Sequence, residues 1–325
     1  MKAQTGKVGR WIPILLVALI LGWTHFGAKS GKAATLILAS TWGETGAGPG
    51  QFREPMGLAF GPAGNLYVAD ARNARIQKFS PEGRFLLEWG RPGESAGEFS
   101  KPVDVAVDAE GRVYVSDYDL DRIQVFRPDG VFLNQWGESG RDPGRFTVAA
   151  GLGIDRKRGR IYLAEFYNKR VEAFDLDGSF LFQIGKPGRV WSGRLNYPTD
   201  VALDSDGNLY VADAYNNRIQ KFSPEGNYLK KWGGIFGWGI ASSWKGWFRV
   251  PSGIAVDPSG RLFVADSANH RIVALSKQRR FLGQWDLDLP TDLFSPSRVA
   301  VGPNGQIFAT DTAHDRILVL EFRME

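Results

Sequence analysis

The stretch PTDVALDSDGNLYVADAYNNRIQKFSPEGNYLKKWG, residues 198–233, decides the architecture of this chain. It holds four short β-like runs separated by turn signals. Asp206-Gly207-Asn208 ends the first run, and Ser223-Pro224-Glu225-Gly226 separates the third from the fourth. Gly, Pro, Asn and Asp favour such turns because they tolerate or preset the required backbone angles. Related segments begin at Pro55, Pro102, Ala149, Pro251 and Pro296, giving six copies 45 to 53 residues apart. Four strands per repeat of that period mark a propeller blade, whose apolar faces are buried only by stacking on neighbours. The expected fold is an all-β, six-bladed β-propeller with four-stranded blades.

Each position of the repeat has a physical reading. The first strand is a small apolar run, GLAFG from Gly57, DVAVD from Asp104 or GIAVD from Gly253, suited to the crowded axis. The second is aromatic and β-branched, as in LYVAD from Leu66 and VYVSD from Val113. Five residues after its final acid comes an arginine in every copy: Arg75, Arg122, Arg170, Arg218, Arg271 and Arg316. A structural clamp explains six equivalent pairs better than catalysis does, and the planar guanidinium suits a carboxylate. The fourth strand ends in Trp-Gly or a near variant, with Ile184 replacing Trp in the third copy. The sixth copy stops after its third strand, while Thr35–Gly43 (TLILASTWG) reads as a stray fourth strand. The N-terminal strand should therefore complete the last blade and close the ring, removing exposed edges.

These residues resemble the NHL-repeat family from about Thr35 to Phe322, and the fifth copy carries Asp266-Ser267-Ala268-Asn269-His270-Arg271-Ile272, close to the family's Asn-His signature. The resemblance implies a fold more than a function, because such propellers include sensors, RNA- and protein-binding modules and a few enzymes. Its lyase-type members use histidines for metal, and lactonase-type propellers use acids and Asn in the channel. Here only His25, His270 and His314 occur, and no phosphate loop, His-Glu-x-x-His or Gly-x-Ser-x-Gly sequence is present.

Residues 1–34 read as a targeting segment ahead of a propeller spanning 35–325. Lys2, Lys7 and Arg10 precede an apolar run, WIPILLVALILGW, over residues 11–23. As a helix such a run rises about 20 Å, short of the roughly 30 Å hydrocarbon core, which favours a secretory signal. A poor cleavage site, with Trp11 and Trp23 at either end, keeps an uncleaved transmembrane anchor open. Either way the propeller is expected to be exported, periplasmic or extracellular. The chain's net charge of +5 resides in this segment, which carries five Lys/Arg and no acid, so the propeller is formally neutral. Neutrality argues against a nucleic-acid partner. The absence of cysteine excludes a disulfide framework.

Function should lie where the copies differ. Of eleven tryptophans, two are in the leader and five fill blade positions; Trp191, Trp238, Trp244 and Trp247 remain. All four fall in the two longest linkers, entering and leaving the fourth blade, the second of which also holds Phe236. With Tyr167, Tyr215 and Tyr118 from neighbouring loops, they suggest an aromatic binding rim for a protein, peptide, glycan or lipid headgroup. The other reading is a long loop burying its own aromatics; Phe248 belongs there, matching Phe52, Phe99 and Phe146. A separate candidate is the channel mouth, where Asp104 and Asp200 replace Gly and Arg298 appears in the last copy. With Glu165 these acids suggest a metal-dependent hydrolase or lyase, or a Ca²⁺-type ion site; internal pairing with Arg298 is the alternative. The rim reading needs no cofactor or metal.

Overall fold

The structure is a computed structural model that describes residues 34–234, 237–278, 280–286 and 295–324. Of the signal or anchor expected over residues 1–34, residues 1–33 lie outside the described residues, as do Trp11, Trp23, His25 and Phe236, while Ala34 already belongs to the first strand. Among the described residues no helix is long and apolar enough to cross a membrane.

The quoted repeat forms four strands, Pro198–Leu203, Leu209–Asp213, Arg218–Phe222 and Tyr228–Trp232, in one antiparallel sheet. Five such sheets follow the chain in order, and a sixth pairs Ala34–Trp42 with Arg316–Met324. The N-terminal strand thus supplies the missing outer strand of the last blade, Pro296–Met324, as its sequence implied. Blades 1 to 6 are numbered here from Pro55, Pro102, Ala149, Pro198, Pro251 and Pro296. All six observed first strands start at those residues.

The core lies between blades. Tyr162, Ala164, Val171 and Ala173 of blade 3 pack against Val201, Leu209, Val211 and Phe222 of blade 4, with Leu195 from the linker between them. Phe52, Phe99, Phe146 and Phe248 are likewise fully buried, so Phe248 is structural. Burying each such ring contributes about 2–3 kcal/mol. The tryptophan closing an outer strand serves the same contact. A Cβ on Gly130 would meet Trp89 at 2.9 Å and one on Gly178 would meet Trp136 at 2.5 Å. Only glycine in the next blade's turn allows that approach. Where Ile184 replaces Trp, it meets Gly226 in the same way, at 2.9 Å.

Candidate functional site

The repeated arginine is a clamp. Arg218 Nε donates to Asp213 Oδ2 at 2.7 Å, while its other nitrogens donate to the carbonyls of Val190, Trp191 and Arg194. Arg75, Arg170 and Arg271 repeat the pattern on their own linkers, and Arg316 keeps the pair with Asp311. In blades 1, 3, 4 and 5 a buried carboxylate at the end of the second strand thus orients a guanidinium that ties down the incoming linker. Copy two departs: Asp117 accepts from the Ser100 and Lys101 amides, and buried Arg122 Nε has no hydrogen bond. His314 occupies the position of Asn216 and bonds Asp311 as Asn216 bonds Asp213. His270 sits one residue later in a left-handed cap, φ 53°.

The clamp fixes where the candidate tryptophans emerge. Trp191 and Trp244 occupy equivalent positions, their carbonyls held by Arg218 and Arg271. Their side chains point outward, 76% and 69% exposed. The linkers into blades 2, 3 and 4 are not confined to a rim; each runs across the outer strand of the blade it enters. A Cβ on Gly193 would lie 3.9 Å from Tyr228 Cβ, and one on Gly144 3.7 Å from Phe180 Cβ. The linker must cross there because its buried Phe or Leu fills the space between blades. The four tryptophans therefore do not form one platform with the tyrosines. Trp244 and Trp247 pack together with ring centroids 5.1 Å apart over blade 5, whereas Trp191 is clamped on blade 4. Trp238 is exposed, beyond the outer strand of blade 4.

A separate group gathers the tyrosines. Tyr167 and Tyr215 meet through Phe166 and Tyr197, with centroid spacings of 4.9 to 5.9 Å. Tyr118 adjoins Tyr167, and burial raises its pKa with that neighbour's help. Tyr197 and Phe166 were not anticipated. The signal was available: Tyr197 precedes the blade's opening proline, where other copies have Glu54, Lys101, Val148, Val250 and Ser295. Glu54, Val148 and Val250 share its left-handed backbone, so this strained turn belongs to the framework. There the amide is held by Asp315, Asp121 or Asn217 of the previous blade. At Tyr197 the corresponding residue is Lys169, whose Nζ lies 4.1 Å from the Tyr197 ring centroid.

The channel candidates separate. Asp104, Asp200 and Arg298 come together, with Arg298 Nε 3.7 and 3.8 Å from the two carboxylates. The glycines between them explain the alternation around the axis. A Cβ on Gly57 would lie 2.4 Å from Asp104 Cα, and one on Gly151 2.5 Å from Asp200 Cα. All three polar side chains are buried and form an internal ion-paired layer that lines one end of the axial cavity. Asp104 also accepts from the Leu152 amide, and Asp200 from that of Ile254. Burial pushes both acids up, against Arg298; Asp200 reaches about 7, its neighbour Asp104 adding to the rise. A cavity of 1020 Å³ runs from this layer to the hairpin turns, walled by apolar residues such as Leu58, Val107 and Leu203.

Glu165 is not part of this layer. It sits in blade 3's clamp, bonded to Arg170 and Asn168. Beside it is Glu172, pushed up to about 8 by burial and by Glu165. Among the described residues no three or more His, Cys, Asp or Glu side chains are grouped to hold a metal.

Comparison with known proteins agrees with this geometry. The NHL repeat model matches residues 52–79, 195–222 and 248–275, and a 6-bladed beta-propeller model matches 108–190. The B-box type zinc finger protein ncl-1 of Caenorhabditis elegans is 46% identical over 54 residues, 17% of this chain but only 6% of that protein's length. A streptogramin B lyase structure shares the fold with a TM-score of 0.60 at 15% identity, over 90% of this chain and 98% of that one. A Bacteroides thetaiotaomicron protein of unknown function reaches 0.68 at 16% identity, over 89% and 76%. The repeats, the closed ring of four-stranded blades and these matches make the chain an NHL-repeat six-bladed β-propeller.

Proposed function

We propose that the chain is an exported binding or sensory scaffold whose ligand docks on the tyrosine cluster between blades 3 and 4. The observation that carries this reading is one position compared around the ring. Three residues before each clamp arginine stand Arg72, Asp119, Tyr167, Tyr215, Ala268 and Ala313. Only blades 3 and 4 place an aromatic there. Both tyrosines are more than half exposed although they join a packed ring cluster. Rigid rings with exposed hydroxyls give contact area at small entropic cost, which suits a protein, peptide or glycan ligand. Export is supported by the basic and then apolar order of residues 2–23.

The test is a photo-cross-linking side chain placed at each of the six positions in turn, in producing cells. Adducts are expected at 167 and 215 and at none of the other four. A uniform pattern, or adducts confined to 72 and 313, would sink the proposal. The lyase-like fold of one neighbour motivates a companion assay with lactone and ester substrates, with and without chelator. Chelator-sensitive turnover lost on Asp200→Asn would replace the scaffold reading by the enzymatic one.

A further inference from the structure

Charge is unevenly distributed in this neutral propeller. Residues 178–199 and 226–256 contain no Asp or Glu, yet they carry Lys186, Arg189, Arg194, Lys230, Lys231, Lys245 and Arg249. The first stretch spans the outer strand of blade 3 and the linker crossing blade 4; the second spans the outer strand of blade 4 and the linker beyond. That outer strand reads YLKKW, whereas its counterparts in blades 1, 2 and 3 read FLLEW, FLNQW and FLFQI. Among the described residues none of the seven cations forms an ion pair with a carboxylate. Lys231 Nζ donates instead to the Val190 carbonyl, and its pKa is lowered by burial and by Arg218.

The same flank is apolar at its exposed points. Trp191 and Val190 lie on one side of Lys231, Val190 being 50% exposed. On the other side the chain passes Gly237, whose Cβ would lie 2.6 Å from Lys231 Cγ, into Trp238. Trp238 and Ile240 are 57% and 46% exposed, and Leu229 of the outer strand 44%. Two tryptophans, three aliphatic side chains and the cations Lys186, Arg189, Arg194, Lys230 and Lys231 thus belong to the outer strand of blade 4 and the linkers on either end of it, whereas Lys245 lies over Phe281 of blade 5.

We propose that the flank of blade 4 docks on an anionic lipid surface. Tryptophan prefers the level of the headgroups, and Lys and Arg beside it are attracted to acidic lipids. A sugar polymer would use the rings but gain little from Val190, Ile240 and Leu229, so the aliphatic side chains favour lipid. This contact is separate from the tyrosine cluster and does not depend on whether the N-terminal segment is cleaved.

The chain has no cysteine, so a single label can be placed without ambiguity. Ser192→Cys in the full-length protein, carrying an environment-sensitive fluorophore, reports on this flank. Ala96→Cys reports on the equivalent linker position of blade 2. With phosphatidylcholine vesicles containing phosphatidylglycerol, emission at 192 should shift to the blue and be quenched by spin-labelled lipid. Label 96 should do neither, and phosphatidylcholine alone should leave both unchanged. Lys230→Glu with Lys231→Glu should weaken the response about tenfold per reversed residue, with the melting temperature retained. The proposal fails if label 192 is silent on vesicle-bound protein, or if both labels respond alike. It fails equally if polyglutamate or an RNA oligomer gives the same change without vesicles, which would mark a polyanion site.

Discussion

Glu172 shows how one residue can reveal the logic of its repeat. The equivalent side chains Gln77, Gln124 and Gln220 accept from a linker glycine amide and donate to a linker carbonyl. Glu172 keeps the first contact, with Gly144, but can donate only when protonated, and its pKa near 8 keeps it so at neutral pH. A raised folded-state pKa means its stabilising contribution is complete below the unfolded value, about 4.3, and fades as pH rises through 8. Glu172→Gln should therefore leave the melting temperature unchanged near pH 4 and raise it above pH 8, by about 1–3 kcal/mol of stability. A pH series of melting curves checks this. The clamp allows a second comparison. Arg218→Met removes the ion-pair partner of buried Asp213 and should cost about 3–5 kcal/mol, whereas Arg122→Met, whose Nε makes no hydrogen bond to Asp117, should cost less by denaturant titration. The clamp was legible because six copies repeat it. Glu165 was misplaced among the channel acids although its position five residues before Arg170 already made it a member of the clamp series.

At the scale of elements, the copy boundaries coincide with the observed starts of the first strands, which begin at the opening proline or alanine, two residues before the apolar runs at Gly57, Asp104 and Gly253. The linkers were not legible in this way. Their ladder contacts are short parallel bridges, Thr45 with Phe52, Pro92 with Phe99, Ser139 with Phe146 and Lys186–Pro187 with Arg194–Leu195. These are too short for a periodicity to record the path, and it is the buried ring or leucine that shows the linkers crossing the next blade. The tryptophans they carry therefore split between blades 4 and 5 instead of meeting the tyrosines. The axial layer was half legible: the alternation of Gly57, Asp104, Gly151, Asp200, Gly253 and Arg298 was visible. Its reason is steric, since each glycine admits the backbone of the next blade's large residue. Gly151→Ala should therefore destabilise the ring by about 1–3 kcal/mol, as other over-packed sites do. Equilibrium unfolding in urea measures this, and an unchanged midpoint would show that neighbouring strands relax freely.

For the whole molecule, the repeat separates what the ring needs from what it carries. Closure by the N-terminal strand, inter-blade rings and arginine clamps account for the fold. Trp191, Trp244, Tyr167 and Tyr215 remain as exposed side chains on that frame. Their backbones are held in place while their rings contribute little to the core, so evolution of a contact surface there costs the fold little. The most direct test is the thermal unfolding of the fourfold variant Trp191→Ala, Trp244→Ala, Tyr167→Ala and Tyr215→Ala. At about 2–4 °C per kcal/mol for a domain of this class, the account predicts a melting temperature within about 4 °C of the parent. A fall of more than about 10 °C would contradict it, because these aromatics would then be part of the fold and not a surface built on it.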